Sequence, residues 1–455
     1  MEQPKTFAVE TLGCKANQYD SHAIRTDLLA RGLVEVPFGP GADAYVVNTC
    51  SVTSVAGRKS RQVVAQVARE NPRALVVATG CYADTDREAL LRMKGVDRVF
   101  RNAEKGFAGR YVAEALHRGP ELARLDLLAH ESCREPALPA RVVDFGDQTR
   151  PFVKIQDGCD LLCTYCIIPK TRGGLASRAP GDVIEECRAL CETGKKEIVL
   201  TGIHLGGYGH DLARPELLVE LLEKLLELPG LERLRLSSIE VQEVRDDLIA
   251  LAASHPRFCP HFHIPLQSGS DRVLRRMGRR YARADYLGTI ERIRERVPRV
   301  ALNTDVIVGF PGETEEDFEE TLSALRVVGF SRLHVFPYSD RRGTPATRLP
   351  GKIDPRTVAA RKARIARLAR ELSLEFHRGF VGREARVLVE RRRDPRTGLL
   401  TGYTDHYVKA LLEGADEWME ELVPVRVEEA YPDRVTARRV RSPAPTAARC
   451  PRRPG

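Results

Sequence analysis

Three cysteines within eight residues, Cys159-Asp-Leu-Leu-Cys163-Thr-Tyr-Cys166, restrict this chain more than any other feature. A CxxxCxxC run puts three thiolates on one short loop, where they can wrap a single metal cluster. A closed zinc site takes four ligands and favours paired CxxC spacings, which this run lacks. A cubane [4Fe-4S] cluster has four irons, so three cysteines leave one iron open to a small molecule. Met1 to Phe7 carries no basic region followed by an apolar run, so no secretory signal is expected and the cytoplasm is the default compartment. There, disulfides are disfavoured, and the eleven cysteines shift toward metal ligation or catalysis.

The pattern around the motif predicts several domains, as 455 residues exceed what one core supports. Strand-like and helix-like runs alternate through Thr6–Glu10, Ser21–Arg31, Ala44–Val47, Ser54–Glu70 and Leu75–Ala78. They predict an N-terminal α/β domain with a parallel sheet over 1–120. Residues 121–144, with Pro136 and Pro139, read as a linker. From 145 to 378, six apolar strands alternate with helices: Phe152–Ile155, Glu197–Thr201, Leu234–Ser238, His261–Leu266, Val300–Val308 and Arg332–Pro337. That is too short for a closed eight-stranded barrel and predicts a partial (βα)6 barrel with its chemistry at strand C-termini. Asp354-Pro355 reads as the start of a helix carrying Ile365, Leu368, Leu372 and Phe376 on one face. Period-two segments over 379–441 predict a small all-β module, and 442–455 reads as a disordered tail.

Three further cysteines each follow a predicted strand: Cys14 in Thr-Leu-Gly-Cys-Lys-Ala-Asn-Gln-Tyr-Asp-Ser, Cys50 in Asn-Thr-Cys, and Cys81 in Thr-Gly-Cys-Tyr. Parallel sheets build ligand sites at strand carboxyl ends, so neighbouring strands would gather these thiols. Packing alone would account for any one of them, since cysteine is often buried. Cys187 and Cys191, one helical turn apart, and Cys133, Cys259 and Cys450 have no partners in sequence and are not expected to be ligands.

The CxxxCxxC motif, with Tyr165 before its third cysteine, resembles the radical S-adenosylmethionine superfamily. The order of both cysteine sets along nearly the whole chain resembles its methylthiotransferase family. That resemblance implies two [4Fe-4S] clusters: one on Cys159, Cys163 and Cys166 that binds S-adenosylmethionine and releases a 5′-deoxyadenosyl radical, and an auxiliary one on Cys14, Cys50 and Cys81 that carries sulfur. All six are expected catalytic and metal-ligating residues. One S-adenosylmethionine would methylate the sulfur, and a second would start hydrogen abstraction at C2 of an adenine. The C-terminal module resembles the RNA-binding barrel called TRAM, with Arg391, Arg392, Arg393 and Lys409 as candidate phosphate contacts and Tyr403 and Tyr407 for base stacking.

Tyr165, Thr201, Gly202, Ser238, Glu240, Gln267 and Ser268 are the cofactor-pocket candidates, each at or after a strand end. His204, His261 and His263 are assigned no catalytic role. The chain carries +9, and Arg341 to Phe380 alone holds eleven Lys/Arg against three Asp/Glu, which favours a polyanionic partner. Among the family's branches, Lys15 after the first cysteine and Gly402-Tyr-Thr-Asp-His-Tyr-Val408 look most like those acting on N6-threonylcarbamoyladenosine beside the tRNA anticodon. N6-isopentenyladenosine of tRNA and a ribosomal-protein aspartate are the alternatives. A non-catalytic iron-sulfur RNA-binding protein and a zinc protein are readings from other classes. An electron donor such as flavodoxin or ferredoxin is an expected partner, the sulfur donor is unspecified, and no run of about 18 uncharged apolar residues suggests a membrane span.

Overall fold

The apolar runs between the dispersed cysteines become the centre of a five-stranded parallel sheet. Its strands β1 (Thr6–Thr11), β2 (Val34–Glu35), β3 (Ala44–Thr49), β4 (Leu75–Gly80) and β5 (Arg98–Val99) lie in the order β2-β1-β3-β4-β5. Successive side chains alternate between faces. Val46 and Val77 pack with Ile24, Leu28, Tyr111 and Val112, whereas Tyr45, Val47, Val76 and Ala78 pack with Val64 and Val67. Helices therefore cover both faces, as parallel sheets require. The second is started by Thr53, whose hydroxyl accepts from Ala56 N–H at 3.1 Å. The computed structural model describes residues 4–130, 141–214 and 217–440; Cys133, Pro136, Pro139, Cys450 and the tail 442–455 lie outside the described residues. Within the stretch expected as a linker, the structure extends a helix, Pro120–His130, whose Ala123 joins the N-terminal core.

The second unit begins with β6 (Phe152–Lys154) and a short antiparallel pair, β7 (Gln156–Asp157) and β8 (Ala176–Ser177), between which the CxxxCxxC loop is held. Strands β9 (Glu197–Thr201), β10 (Arg233–Leu236), β11 (His261–His263), β12 (Ala301–Val308) and β13 (Arg332–Pro337) follow. They pair in parallel as β6-β9-β10 and β11-β12-β13, joined by bridges Leu234–Phe258 and Ser238–His263. This is the six-stranded open barrel expected. β11 ends earlier than the sequence suggests because Pro265 has no N–H to continue a ladder, and Leu266 N–H donates instead to Thr304 Oγ1 at 2.8 Å. Cys187, Cys191 and Cys259 are buried as packing residues.

Asp354 caps the helix Pro355–Arg378, accepting from Arg356 and Thr357 N–H at 2.9 and 3.0 Å. Its arginines are not all solvated: Arg361 is buried against Glu313 at 2.7 Å. The C-terminal module is a closed barrel of β14 (Glu384–Arg393), β15 (Leu400–Thr404), β16 (Lys409–Leu412), β17 (Leu422–Ala430) and β18 (Val435–Arg439), ordered β14-β15-β16-β18-β17. Closure leaves no free edge. The loop between β15 and β16 enters the N-terminal mouth of the larger barrel. There Arg235 donates to Asp405 O at 2.8 Å and Arg233 to Tyr403 O at 3.0 Å.

Candidate active site

Cys14, Cys50 and Cys81 stand three, one and one residues past the ends of β1, β3 and β4, which are neighbours in the sheet. The topology thus brings them to one edge. A Cβ on Gly13 would lie 2.8 Å from Cys50 Sγ, and with φ at +108° this position also suits glycine's backbone. Cys81 Sγ is 3.9 Å from Asn17 Oδ1 and accepts from Asn102 Nδ2 at 3.6 Å. Cys50 and Cys81 are buried, and Cys14 is exposed. Burial pushes the Cys50 thiol up to about 11, partly opposed by the Val52 N–H and with Cys81 and Cys14 raising it further.

The loop of Cys159, Cys163 and Cys166 leaves β7 through Gly158. A Cβ there would meet Gly174 O at 1.7 Å, and φ is +71°. Leu161 N–H donates to Cys159 Sγ at 3.4 Å. Burial raises the Cys166 thiol to about 12 against the Ile168 N–H. Arg279, 4% exposed, donates to Cys163 Sγ at 3.3 Å and pairs with Glu240. Glu240 is thereby committed to a cation that touches the cysteine loop.

Beside Cys166, where the N-terminal unit meets the barrel, lies a cavity of about 230 Å³. Val52 and Thr53 line it from the N-terminal unit, Tyr165 and Cys166 from the loop, and Gln267, Asp305, Ile307 and Phe336 from the barrel. Of the pocket candidates, Tyr165 and Gln267 face this space. Tyr165 sits edge-on to Phe310 at 6.4 Å. Ser268 is turned away and fully buried, its Oγ 3.3 Å from Thr321 Oγ1. Thr201 is buried at the end of β9, Gly202 packs against Gln156, and Ser238 bridges to His263.

The structure brings in residues the sequence reading passed over. His204, given no role, lies beside Cys159: its N–H is held by Gln156 Oε1 at 2.8 Å, its Nδ1 is 3.0 Å from Asp160 Oδ1, and Nε2 meets Glu243. Burial disfavours its charged form, but hydrogen bonding to Cys159 and Glu243 outweighs this and raises it to about 11. Arg172, six residues beyond Cys166, is buried and reaches Asn17 Oδ1 at 2.5 Å, Asp20 Oδ2 at 2.9 Å and Asp157 Oδ1 at 2.8 Å. With Lys105 and Lys154 it closes a five-membered charge network between the two units. Asn17 and Asp20 stand three and six residues after Cys14, spacings that place them on successive turns of one helix.

Tyr403 and Tyr407, expected to stack on bases, are instead stacked on each other at 5.0 Å. Arg150 lies 4.1 Å over Tyr403, and Arg235 4.8 Å over Tyr407. Arg391, Arg392, Arg393 and Lys409 pair with Glu420, Asp147, Asp416 and Asp394. These pairs tie the arginines to the protein's own carboxylates, a competition that sequence spacing does not reveal.

Three family models match the chain: the Radical SAM superfamily over residues 153–325, the Uncharacterized protein family UPF0004 over 6–101, and the TRAM domain over 378–440. The chain is 38% identical over 434 residues to the threonylcarbamoyladenosine tRNA methylthiotransferase MtaB of Bacillus subtilis, covering 94% of this chain and 95% of that one. It is 37% identical to the protein of the same name from Thermotoga maritima, over 89% and 91%. It is also 38% identical to the tRNA-2-methylthio-N(6)-dimethylallyladenosine synthase of Parafrankia sp., over 88% and 81%. In fold it is similar to the radical S-adenosylmethionine methyltransferase TsrM from Kitasatospora setae, with a TM-score of 0.53 at 15% identity, over 76% of this chain and 77% of that one.

Proposed function

The chain belongs to the radical S-adenosylmethionine methylthiotransferase family that modifies tRNA, and from that premise we propose that it methylthiolates C2 of N6-threonylcarbamoyladenosine beside the anticodon. It is an enzyme that uses S-adenosylmethionine and [4Fe-4S] chemistry. In the proposed scheme it uses two S-adenosylmethionine molecules and two clusters, one held by Cys159, Cys163 and Cys166 and an auxiliary one by Cys14, Cys50 and Cys81. The observation that carries the reading is that Cys14, Cys50 and Cys81 stand at the carboxyl ends of three neighbouring strands, while Cys166 of the second set lines a cavity that Val52 and Thr53 of the N-terminal unit also line.

Both sets fit the clusters. Each offers three sulfurs, which leaves one iron of a cubane open. When bound, the clusters supply an electron for cleaving S-adenosylmethionine and an anchor for sulfur. The protein's own part is electrostatic. Buried thiols resist ionisation, so ligation must release protons against that resistance. Amide N–H groups of Val52 and Ile168 face Cys50 and Cys166. Arg279 donates to Cys163, and the charge of Arg172 favours the thiolate of Cys14. Each donor supports a thiolate. Tyr165 and Gln267 shape the cavity in which the cofactor and the adenine would meet, with Asp305 on its floor.

Reduced flavodoxin or ferredoxin is the proposed electron donor, and the cytoplasm the proposed compartment. No helix among the described residues is long and apolar enough to cross a membrane. The dimethylallyl synthases at similar identity support a second reading, isopentenyladenosine as substrate. Mass spectrometry of nucleosides from tRNA of cells lacking the gene separates them. Loss of the methylthio form of threonylcarbamoyladenosine alone is expected; loss of the isopentenyl counterpart alone would overturn the assignment.

A further inference from the structure

The N-terminal mouth of the large barrel holds more positive charge than it neutralises. Arg150, Arg233, Arg235, Arg332 and Lys15 come together around the Tyr407 side chain and the loop that carries it. Arg150 is paired with Glu390 at 2.7 Å, while Arg233 and Arg235 share Glu197 at 3.5 and 2.7 Å. Lys15 and Arg332 make no ion pair or hydrogen bond with any described residue. Lys15 has only the face of Phe152, its Nζ 5.6 Å from the ring centroid. Tyr407, Arg150, Arg235 and Arg332 are its charged or ionisable neighbours.

The position of Arg332 connects it to the cavity beside Cys166. Arg332, His334 and Phe336 alternate along β13 and so share one face of the strand. Phe336 lines that cavity, while Arg332 lines a second one of about 210 Å³ with Tyr403, Tyr407, Lys409 and Asp433, the last paired with Arg434 at 3.0 Å. Between them His334 is tied to Asp305, whose Oδ1 lies 3.2 Å from His334 Nδ1 and 3.1 Å from His263 Nε2. Only about 13 Å of strand separates the two ends. Neither cation has an ion pair among the described residues, and Lys15 is half-buried, where charge is normally paired; Arg332 is exposed beside it. The field there is strong enough to lower the Tyr407 phenol below its ordinary value despite burial, through Arg150, Lys15 and Arg235.

We infer that Lys15 and Arg332 form a receptor for the carboxylate of the threonylcarbamoyl group, and so select an adenosine bearing an amino acid over one bearing a hydrocarbon. The inference rests on the substrate reading above and adds to it the residues that read the substituent. Its chemistry is an anion against two cations, and a phosphate of the RNA is the competing source of that anion.

The test measures binding by the cluster-loaded protein, at one fixed salt concentration, of three synthetic anticodon stem-loops. They differ only at the modified position, carrying threonylcarbamoyladenosine, its threonyl methyl ester, or plain adenosine. The wild-type protein is expected to prefer the carboxylate-bearing loop about tenfold or more over both others. K15Q and R332Q should each lose about tenfold of that preference with the affinity for plain loop retained, and R332K should keep it. Iron per chain is measured on each variant, because Lys15 adjoins Cys14; Arg332 is exposed and adjoins no cysteine in sequence, so R332Q is the second, independent reading. Preference retained in both glutamine variants would overturn the receptor. Equal weakening toward all three loops would also overturn it, assigning the cations to phosphate. A wild-type protein without preference would overturn it as well, and the nucleoside profile of the deletion strain then shows separately whether the substrate reading has failed.

Discussion

Replacing Asp20 by asparagine should uncouple the N-terminal unit from the large barrel. Asp20 is 1% exposed, and its two oxygens serve Lys105 at 2.6 Å, Arg172 at 2.9 Å and Lys154. The network holds these three cations against Asp20 and Asp157, a net of +1. With D20N it becomes +2, and three buried cations share one acid. At an effective dielectric of about 20, a contact near 2.6 Å is worth roughly 6 kcal/mol before desolvation, which offsets most of it. Breaking one partner of such a buried set costs about 3–5 kcal/mol. Across a unit of 150–250 residues this corresponds to roughly 6–20 °C in transition temperature. Calorimetry of wild type and D20N reads the earliest transition, since a chain of several units does not melt as one. The charged neighbours hold the Asp20 carboxyl well below the usual carboxylate range, although burial alone would raise it. Its contribution is therefore fully present above about pH 4, the unfolded value, and is lost as pH falls through the depressed folded value. The gap between the two proteins should persist at pH 5 and close only in strong acid. A loss under about 1 kcal/mol at pH 7, or a gap that closes by pH 5, would show that the network is solvated and refute the reasoning.

Changing Cys14, Cys50 and Cys81 together to alanine should remove about half the iron of anaerobically purified protein, and changing Cys159, Cys163 and Cys166 the other half; unchanged iron in the first variant would contradict the auxiliary site. R279Q leaves Glu240 without its cation and Cys163 without its donor, so reductive cleavage of S-adenosylmethionine should fall at least tenfold, the equivalent of about 1.5 kcal/mol or more. A cleavage rate within twofold of wild type would remove Arg279 from the site. R150A deletes the cation held over Tyr403 and paired with Glu390, and limited proteolysis should then release the C-terminal barrel faster; an unchanged rate would mean the other contacts dock it alone. In a spectrophotometric titration, the first phenol to ionise as pH rises should disappear in Y407F. Burial raises this group, but Arg150, Lys15 and Arg235 together hold it below its ordinary value. A depressed folded value means its contribution to stability grows as pH rises through it and is absent below.

The six barrel strands were legible as short apolar-rich segments between helices, and four of the five in the terminal module by their period-two alternation. β18 did not, since Val435–Arg439 is short and half charged. Cys159, Cys163 and Cys166 were readable as a set because one loop carries them. His204, Arg279 and Arg172 were not, because a lone histidine or arginine in sequence has no partner until folding supplies one. Tyr403 and Tyr407 show a further limit. An aromatic beside basic residues suits RNA, but Arg150, distant in the chain, reaches them first.

By itself the sequence determined which thiols could act together within a loop, where strands and helices lie, and the order of the three units. Those properties follow from neighbours in the chain, through hydrophobic period and residue spacing. Only the tertiary structure decided that Val52, Thr53 and Cys166 line one cavity, that Arg279 reaches Cys163, and that Lys15 and Arg332 have no ion pair among the described residues. Each of these depends on distances between residues far apart in sequence, and a charge or a thiol acquires its chemistry from whatever the fold places within a few ångströms of it.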